Sequence, residues 1–224
     1  MTRLRKSFER ARKLGLKGSL THLARIALTT VPGGEAYRYF LVVLDTPRPS
    51  PDAARASQDH TFRFATIDDL ERLKKDPDAH IFDRDIESFK NGCRCLLQFD
   101  GEHLVGYTWI SSSALYDLVL GLHFNMPDDM IYNYNGYTVP KYRGTAYQGL
   151  RHLKILEHTR DEGTRRLMGY VDHTNYGSLS GVKKSGYRHV GIVRAVRRKG
   201  KLHFSLSVDD DCWSTRPRSG PVQR

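Results

Sequence analysis

The spacing of apolar positions changes along the chain, and the changes mark out its elements. In residues 1–29, Leu4, Phe8, Ala11 and Leu14, then Leu20, Leu23, Ala24 and Ala27, recur every three to four residues. That period predicts one or two amphipathic helices broken near Gly15 and Gly18. Pro32, Gly33 and Gly34 interrupt it, and the aromatic and β-branched run 37–44 predicts a strand. Residues 47–58, with prolines at 47, 49 and 51, read as a linker and place a domain boundary there. From His60 the two periods alternate. A strand over 61–65 leads to Thr66, an N-cap, with Asp69 where a capping box needs its carboxylate. A second helix is predicted over 81–90, ended by Asn91-Gly92, and strands over 93–99 and 103–111 flank the hairpin pair Asp100-Gly101. A strand over 130–139 stops at Pro140, and a helix over 147–162 stops at Gly163. A strand over 166–172, a short helix over 175–185 and a hairpin of 187–197 with 201–208 complete the pattern. The tail from residue 209, rich in Asp, Pro, Arg and Ser, reads as disordered. The expected division is an extension over 1–58, a mixed α/β domain over 59–208 and a tail over 209–224.

Composition narrows the function classes. A chain of 224 residues can bury a core without disulfides or metal. Its longest uninterrupted apolar run, 39–44, is far short of the roughly 20 residues a membrane helix needs, so a cytoplasmic chain is expected. Cys93, Cys95 and Cys212 build neither a disulfide framework nor a four-cysteine zinc site, and the histidines lack metal-ligand spacing, so no metal is expected. The charge is uneven. Of the net +11, residues 1–29 carry +7, with eight basic side chains against Glu9 alone. Such a face is either solvated or meets anionic lipid at the inner face of the membrane or an acyl-carrier protein, with nucleic acid disfavoured. A second basic group, Arg194, Arg197, Arg198, Lys199 and Lys201, falls on the last hairpin.

The chemistry-bearing stretch is the loop Lys141-Tyr142-Arg143-Gly144-Thr145-Ala146 between a strand and a helix. Backbone N–H groups of such a loop, with the positive end of the helix behind it, suit a diphosphate. Gly144 allows a φ that other residues resist, and Ala146 lets a phosphate approach the backbone. Further on come Asn175, Ser178 and the helix end Lys183-Lys184-Ser185-Gly186-Tyr187. With the opening strand and helix around Thr61 to Leu70, these pieces resemble the GNAT superfamily of acyl-CoA-dependent N-acyltransferases over about residues 60–208. Lys141, Gly144 and Ala146 stand for its loop signature, with Lys in the place of Gln or Arg. Asn175, Ser178, Lys184, Gly186 and Tyr187 match its later pattern.

The resemblance implies an α/β fold with a mixed, mostly antiparallel sheet, a splayed parallel strand pair and flanking helices. The pantetheine arm of acetyl-CoA or another acyl-CoA would lie in the gap, held by backbone amides around Thr138 and Val139. Amides from Tyr142 through Arg143, Gly144 and Thr145 to Ala146 would hold the pyrophosphate, and Asn175, with Ser178 three residues on, would bond the pantetheine or nearby backbone. The implied reaction is direct attack on the thioester by a primary amine: an amino sugar, amino acid derivative or lipid-linked amine. A base, an oxyanion-binding N–H and an acid assist it. The chain departs from the family where its acid Tyr should stand, seven residues after the Asn, because that residue is Val182. Tyr176, Tyr187 or solvent must then give the proton. Residues 130–139 hold no carboxylate base, and Asp172 and His173 are the nearest titratable candidates, although His173 is equally readable as a hydrogen-bonded strand end. Tyr132, Tyr134 and Tyr137, interleaved with Asn133 and Asn135, are half-buried core or a surface for a hydroxyl-rich acceptor. Gly177-Ser178-Leu179-Ser180-Gly181 is not a hydrolase elbow, because Leu179 holds the nucleophile's place. The alternative from another class is a non-catalytic binding module of the same fold acting through its basic arm, and a homodimer is open in either case.

Overall fold

The computed structural model describes residues 34–45, 51, 55, 58–112, 115–117, 122–124, 127–198 and 201–208. The expectations for residues 1–29, most of the linker and the tail lie outside them. The strands are β1 (Gly34–Leu44), β2 (His60–Phe64), β3 (Arg94–Asp100), β4 (His103–Ser111), β5 (Leu115–Asp117), β6 (Leu122–Phe124), β7 (Met130–Thr138), β8 (Arg166–Asp172), β9 (Arg188–Arg198) and β10 (Lys201–Val208). The helices are α1 (Ile67–Lys74), α2 (Asp83–Lys90), α3 (Tyr147–His158) and α4 (Tyr176–Lys184).

Among the described residues eight strands make one sheet in the order β10-β9-β1-β8-β7-β4-β3-β2, and β5 pairs with β6. Every pairing is antiparallel except that of β7 with β8. One face carries Leu96, Ile110, Ile131 and Leu167 and is closed by α3 through Ile155. The other face carries Cys95, Leu97 and Trp109, packed with Leu70 and Leu73 of α1 and Ile86 of α2. The physical rule is ordinary alternation: successive side chains of a strand point to opposite faces, so odd and even positions feed two separate cores.

The division drawn from sequence needs correction at its first boundary. The strand expected in an extension lies inside the sheet, antiparallel to β8 on one side and to β9 on the other. Leu41, Val43 and Leu44 are fully buried and Val42 nearly so, which accounts for a run with no polar alternation: a strand covered on both faces has no solvent side. β1 therefore shares one sheet with β2, β3, β4, β7, β8, β9 and β10.

Two features of β7 open the sheet near its middle. Its parallel pairing with β8 covers only Met130–Tyr132 against Arg166–Met168. Beyond that point β7 continues to Thr138 and β8 to Asp172 without pairing, so the sheet forks. On its other edge, two residues of β7, Asn135 and Gly136, oppose the single Thr108 of β4. Asn135 takes a φ of 44°, a bulge that bends the strand where the fork opens.

Candidate active site

The crotch of the fork is closed by side chains rather than by ladder bonds. Asn133 Nδ2 donates to the Met168 carbonyl at 2.9 Å and to the Tyr187 hydroxyl at 3.1 Å. The Tyr187 hydroxyl, whose pKa burial raises well above the phenol range, gives its own proton to His152 Nδ1, 3.0 Å away. His152 is pushed down to about 3, first by burial and then by the charge of Arg151, so it is a neutral ring. Its Nε2 is then the protonated nitrogen, and it is buried with no partner. On the opposite face a band of rings crosses the fork: Tyr134 and Tyr132 of β7, Tyr170 of β8 and Tyr39 of β1, with centroids 4.9 to 5.9 Å apart. Tyr132 is 2% exposed and Tyr39 8%, so these rings are core, and of the two readings of the β7 tyrosines the structure shows the first for Tyr132.

The loop after β7 is built to leave amides unused. Val139 begins a single 3-10 turn, Pro140–Tyr142, in which Tyr142 N–H donates to the Val139 carbonyl and Arg143 N–H to the Pro140 carbonyl. Gly144 follows at φ 85°, a region that favours glycine, and a methyl group there would meet no atom within 4 Å. Among the described residues no acceptor engages the amides of Gly144, Thr145, Ala146, Tyr147, Gln148 or Gly149. The first bonded amide of α3 is that of Leu150, to the Ala146 carbonyl at 3.2 Å, and Ala146 has no side-chain oxygen with which to cap. Side chains brace this loop from behind. Tyr142 Oη donates to Asp100 Oδ2 at 3.1 Å, Thr145 Oγ1 to the Tyr142 carbonyl at 2.6 Å, and Arg143 Nε to the Thr138 carbonyl at 3.0 Å. A row of free amides at a positive helix end is a seat for an anion.

Several residues singled out from sequence have settled partners. The Val139 amide donates to the Val105 carbonyl at 3.0 Å, which corrects its assignment as a pantetheine donor. Asn175 is exposed and its Oδ1 accepts from the Ser178 amide at 3.2 Å, so it is the N-cap of α4 rather than the first residue of that helix. Asp172 Oδ1 accepts from the Thr174 amide at 2.8 Å and its hydroxyl at 2.6 Å, holding the turn into α4. His173 Nδ1 donates to the Arg38 carbonyl at 3.1 Å, which leaves Nε2 as the nitrogen that can accept a proton. Tyr176 is 49% exposed at the start of α4. Lys141 lies over the Tyr142 ring at 4.6 Å. Arg194 is exposed on β9.

Two further residues enter that sequence reasoning missed. Asp85, buried on α2, accepts from Asn135 Nδ2 at 3.2 Å, which brings a carboxylate to a strand that has none of its own. Its third place in α2 was the available signal, because it also accepts from the Phe82 amide at 2.8 Å. Gln148 lies across the gap: a methyl group on Gly136 of β7 would stand 3.5 Å from its Nε2, and one on Gly181 of α4 would stand 3.5 Å from its Oε1. Nothing in the spacing of the sequence marks it. No group of three His, Cys, Asp or Glu that could hold a metal occurs among the described residues, and no helix among them is long and apolar enough to cross a membrane.

A mostly antiparallel sheet, one parallel pair that forks, and an uncapped helix at the mouth of the fork decide the fold. This is the architecture that the sequence resemblance implies. No family model matches this chain, and no curated protein does. Among solved structures it is similar to a tandem GNAT protein from the clavulanic acid biosynthesis pathway, at 14% identity and a TM-score of 0.48, over 86% of this chain and 58% of that one. It is similar to a GCN5-related N-acetyltransferase-like protein from Streptococcus suis, at 12% identity and a TM-score of 0.47, over 80% of this chain and 67% of that one. It is also similar to AAC(6')-Iy in complex with a bisubstrate analogue of CoA, at 13% identity and a TM-score of 0.45, over 58% of this chain and 91% of that one.

Proposed function

We propose that this protein is an acyl-CoA-dependent N-acyltransferase that moves an acetyl or longer acyl group to a primary amine. One observation carries the reading: the six unused amides from Gly144 to Gly149 stand where β7 and β8 have parted. A diphosphate on those amides would leave the arm of the cosubstrate to run into the fork, with its thioester between β7 and β8. Amine attack there yields the amide and releases the thiolate. Orientation in a ternary complex supplies most of the acceleration available without a covalent intermediate. For the proton of the ammonium, His173 Nε2 is the base in this reading, with Asp172 holding the turn into α4 and Tyr176 an exposed hydroxyl at the start of that helix. Asp85, which accepts from Asn135, brings a carboxylate to β7.

Gln148 favours the second reading, a binding module of the same fold, because its amide lies between Gly136 of β7 and Gly181 of α4. Calorimetric titration with acetyl-CoA decides between the two. Micromolar binding by the wild-type chain, lost in Gly144→Glu, supports the enzyme, whereas no heat with acetyl-CoA or a longer acyl-CoA removes it. The basic segment 1–29 would hold either protein at an anionic surface. Equal liposome sedimentation with and without that segment would sink this idea.

A further inference from the structure

Arg151 is the most deeply buried charged side chain among the described residues. It is 0% exposed, on the face of α3 that meets the sheet, and its guanidinium reaches three strands. Nε donates to Thr108 Oγ1 of β4 at 3.3 Å, Nη1 to Gln98 Oε1 of β3 at 2.8 Å and Nη2 to Thr138 Oγ1 of β7 at 2.7 Å. All three acceptors are neutral, and among the described residues no carboxylate pairs with it. Space is kept for it by a glycine: a methyl group on Gly106 would stand 2.8 Å from Nη1. Burial pushes Arg151 down to about 10, so it stays charged at neutral pH. The buried titratable groups around it, Cys95 of β3 and Tyr107 of β4, are both raised by burial and stay protonated there. His152, beside it on α3, is neutral, as is Gln98, which bonds His60 Nδ1 of β2 at 2.8 Å.

An unpaired buried cation costs several kcal/mol, and an apolar side chain of similar size would pack there at less cost. Folding alone gives no reason for the charge. Its position gives one. Thr138 is the last residue of β7, directly before the loop with the unused amides, and it is held twice: its hydroxyl by Arg151 and its carbonyl by Arg143. Arg151 is also one turn along the helix whose first amides are free. We infer that Arg151 is a positioning residue whose fixed charge is answered by a diphosphate bound on the loop, which makes the site selective for the charged end of its ligand. The inference rests on the acyl-CoA reading only for what that ligand is. Its content is a buried positive charge reserved for a diphosphate.

The test neutralises the charge without removing the arginine. Gln98→Glu places a carboxylate on an atom that already accepts from Nη1, and Arg151→Met removes the charge outright should the first variant fail to fold. Calorimetry on the full chain with CoA, pantetheine and inorganic pyrophosphate, with circular dichroism to check folding, gives the readout. Expected is a loss of about tenfold for CoA and pyrophosphate, the scale of one partly shielded charge, with pantetheine unchanged. A merely structural Arg151 would lower CoA and pantetheine binding by the same factor or leave both alone, and either result overturns the inference while the acyl-CoA reading stands. Pyrophosphate binding that weakens in the variant, with no binding of CoA or pantetheine by the wild-type chain, keeps the inference and removes the acyl-CoA reading. A wild-type chain that binds none of the three removes both.

Discussion

The N-termini of α1 and α3 are treated in opposite ways. At α1, Thr66 Oγ1 accepts from the Asp69 amide at 3.2 Å, and Asp69 Oδ2 accepts from the Thr66 amide at 2.9 Å, closing a reciprocal cap. Asp69 also holds Arg63, with Nη2 at 2.7 Å from Oδ1, and Arg72, at 3.2 Å. The negative charge sits where the helix dipole favours it. At α3 the same places hold Ala146 and Gly149, which have nothing to offer, and the amides stay open. A helix whose only duty is to pack satisfies its own end. One that forgoes about 1 kcal/mol of capping leaves its end to a ligand.

The largest effect should come from making the second end like the first. Ala146→Asp supplies a cap and a carboxylate where the anion would sit. Acetyl-CoA affinity should fall by about 100-fold, the scale of like charges in contact, while stability rises by about 1 kcal/mol. Calorimetry and urea unfolding read the two, and an affinity that does not move would remove the loop as the anion seat. Undoing the first end should change stability alone. Asp69→Ala loses the cap and two arginine partners and should cost about 2 to 3 kcal/mol in urea unfolding with ligand binding unchanged.

The two helices should also titrate apart. Hydrogen bonding to Arg63 holds the Asp69 carboxyl well below its ordinary 3.8, so its contribution is complete above that value and fades as pH falls beneath it. His152 of α3 is depressed from 6.5 to about 3 by burial, so between those values the unfolded chain takes up a proton that the folded chain refuses. Stability therefore falls as pH drops through that window, by up to about 1.4 kcal/mol per pH unit, and is fully present above it. Urea unfolding from pH 7.5 to 4.5 should show that slope in the wild-type chain and a flatter one in His152→Gln. Asp69→Ala should leave it as it is. The smallest effect is Thr66→Ala, about 1 kcal/mol with no change in ligand binding, since the Asp69 charge remains.

Local chemistry was the legible part. The cap of α1 follows from Thr66 and Asp69 alone, because a capping box closes within four residues, and the structure has both bonds. The same holds for Gly144, which takes the positive φ its place in the loop required, and for the hairpin at Gly101, φ 56°. The site was less legible wherever a partner comes from far along the chain. Val139 is engaged by Val105, Arg151 by residues of three strands, and Asn133 by Met168 and Tyr187. One long-range feature left a mark: the unbroken apolar run 39–44 belongs to a strand with no solvent face, inside the sheet rather than in an extension.

Short-range sequence dictated most of the elements, though not β5 and β6, together with the free amides at Ala146 and the Val182 that stands where the resembled family has its Tyr, because each depends on side chains a few residues apart. Only the assembled sheet settled that β1 enters its middle, that β7 and β8 part after three paired residues, and that Arg151 is buried without a carboxylate. Those outcomes depend on which strands become neighbours. Neighbours are chosen by burying many apolar faces at once, and no local spacing encodes that choice.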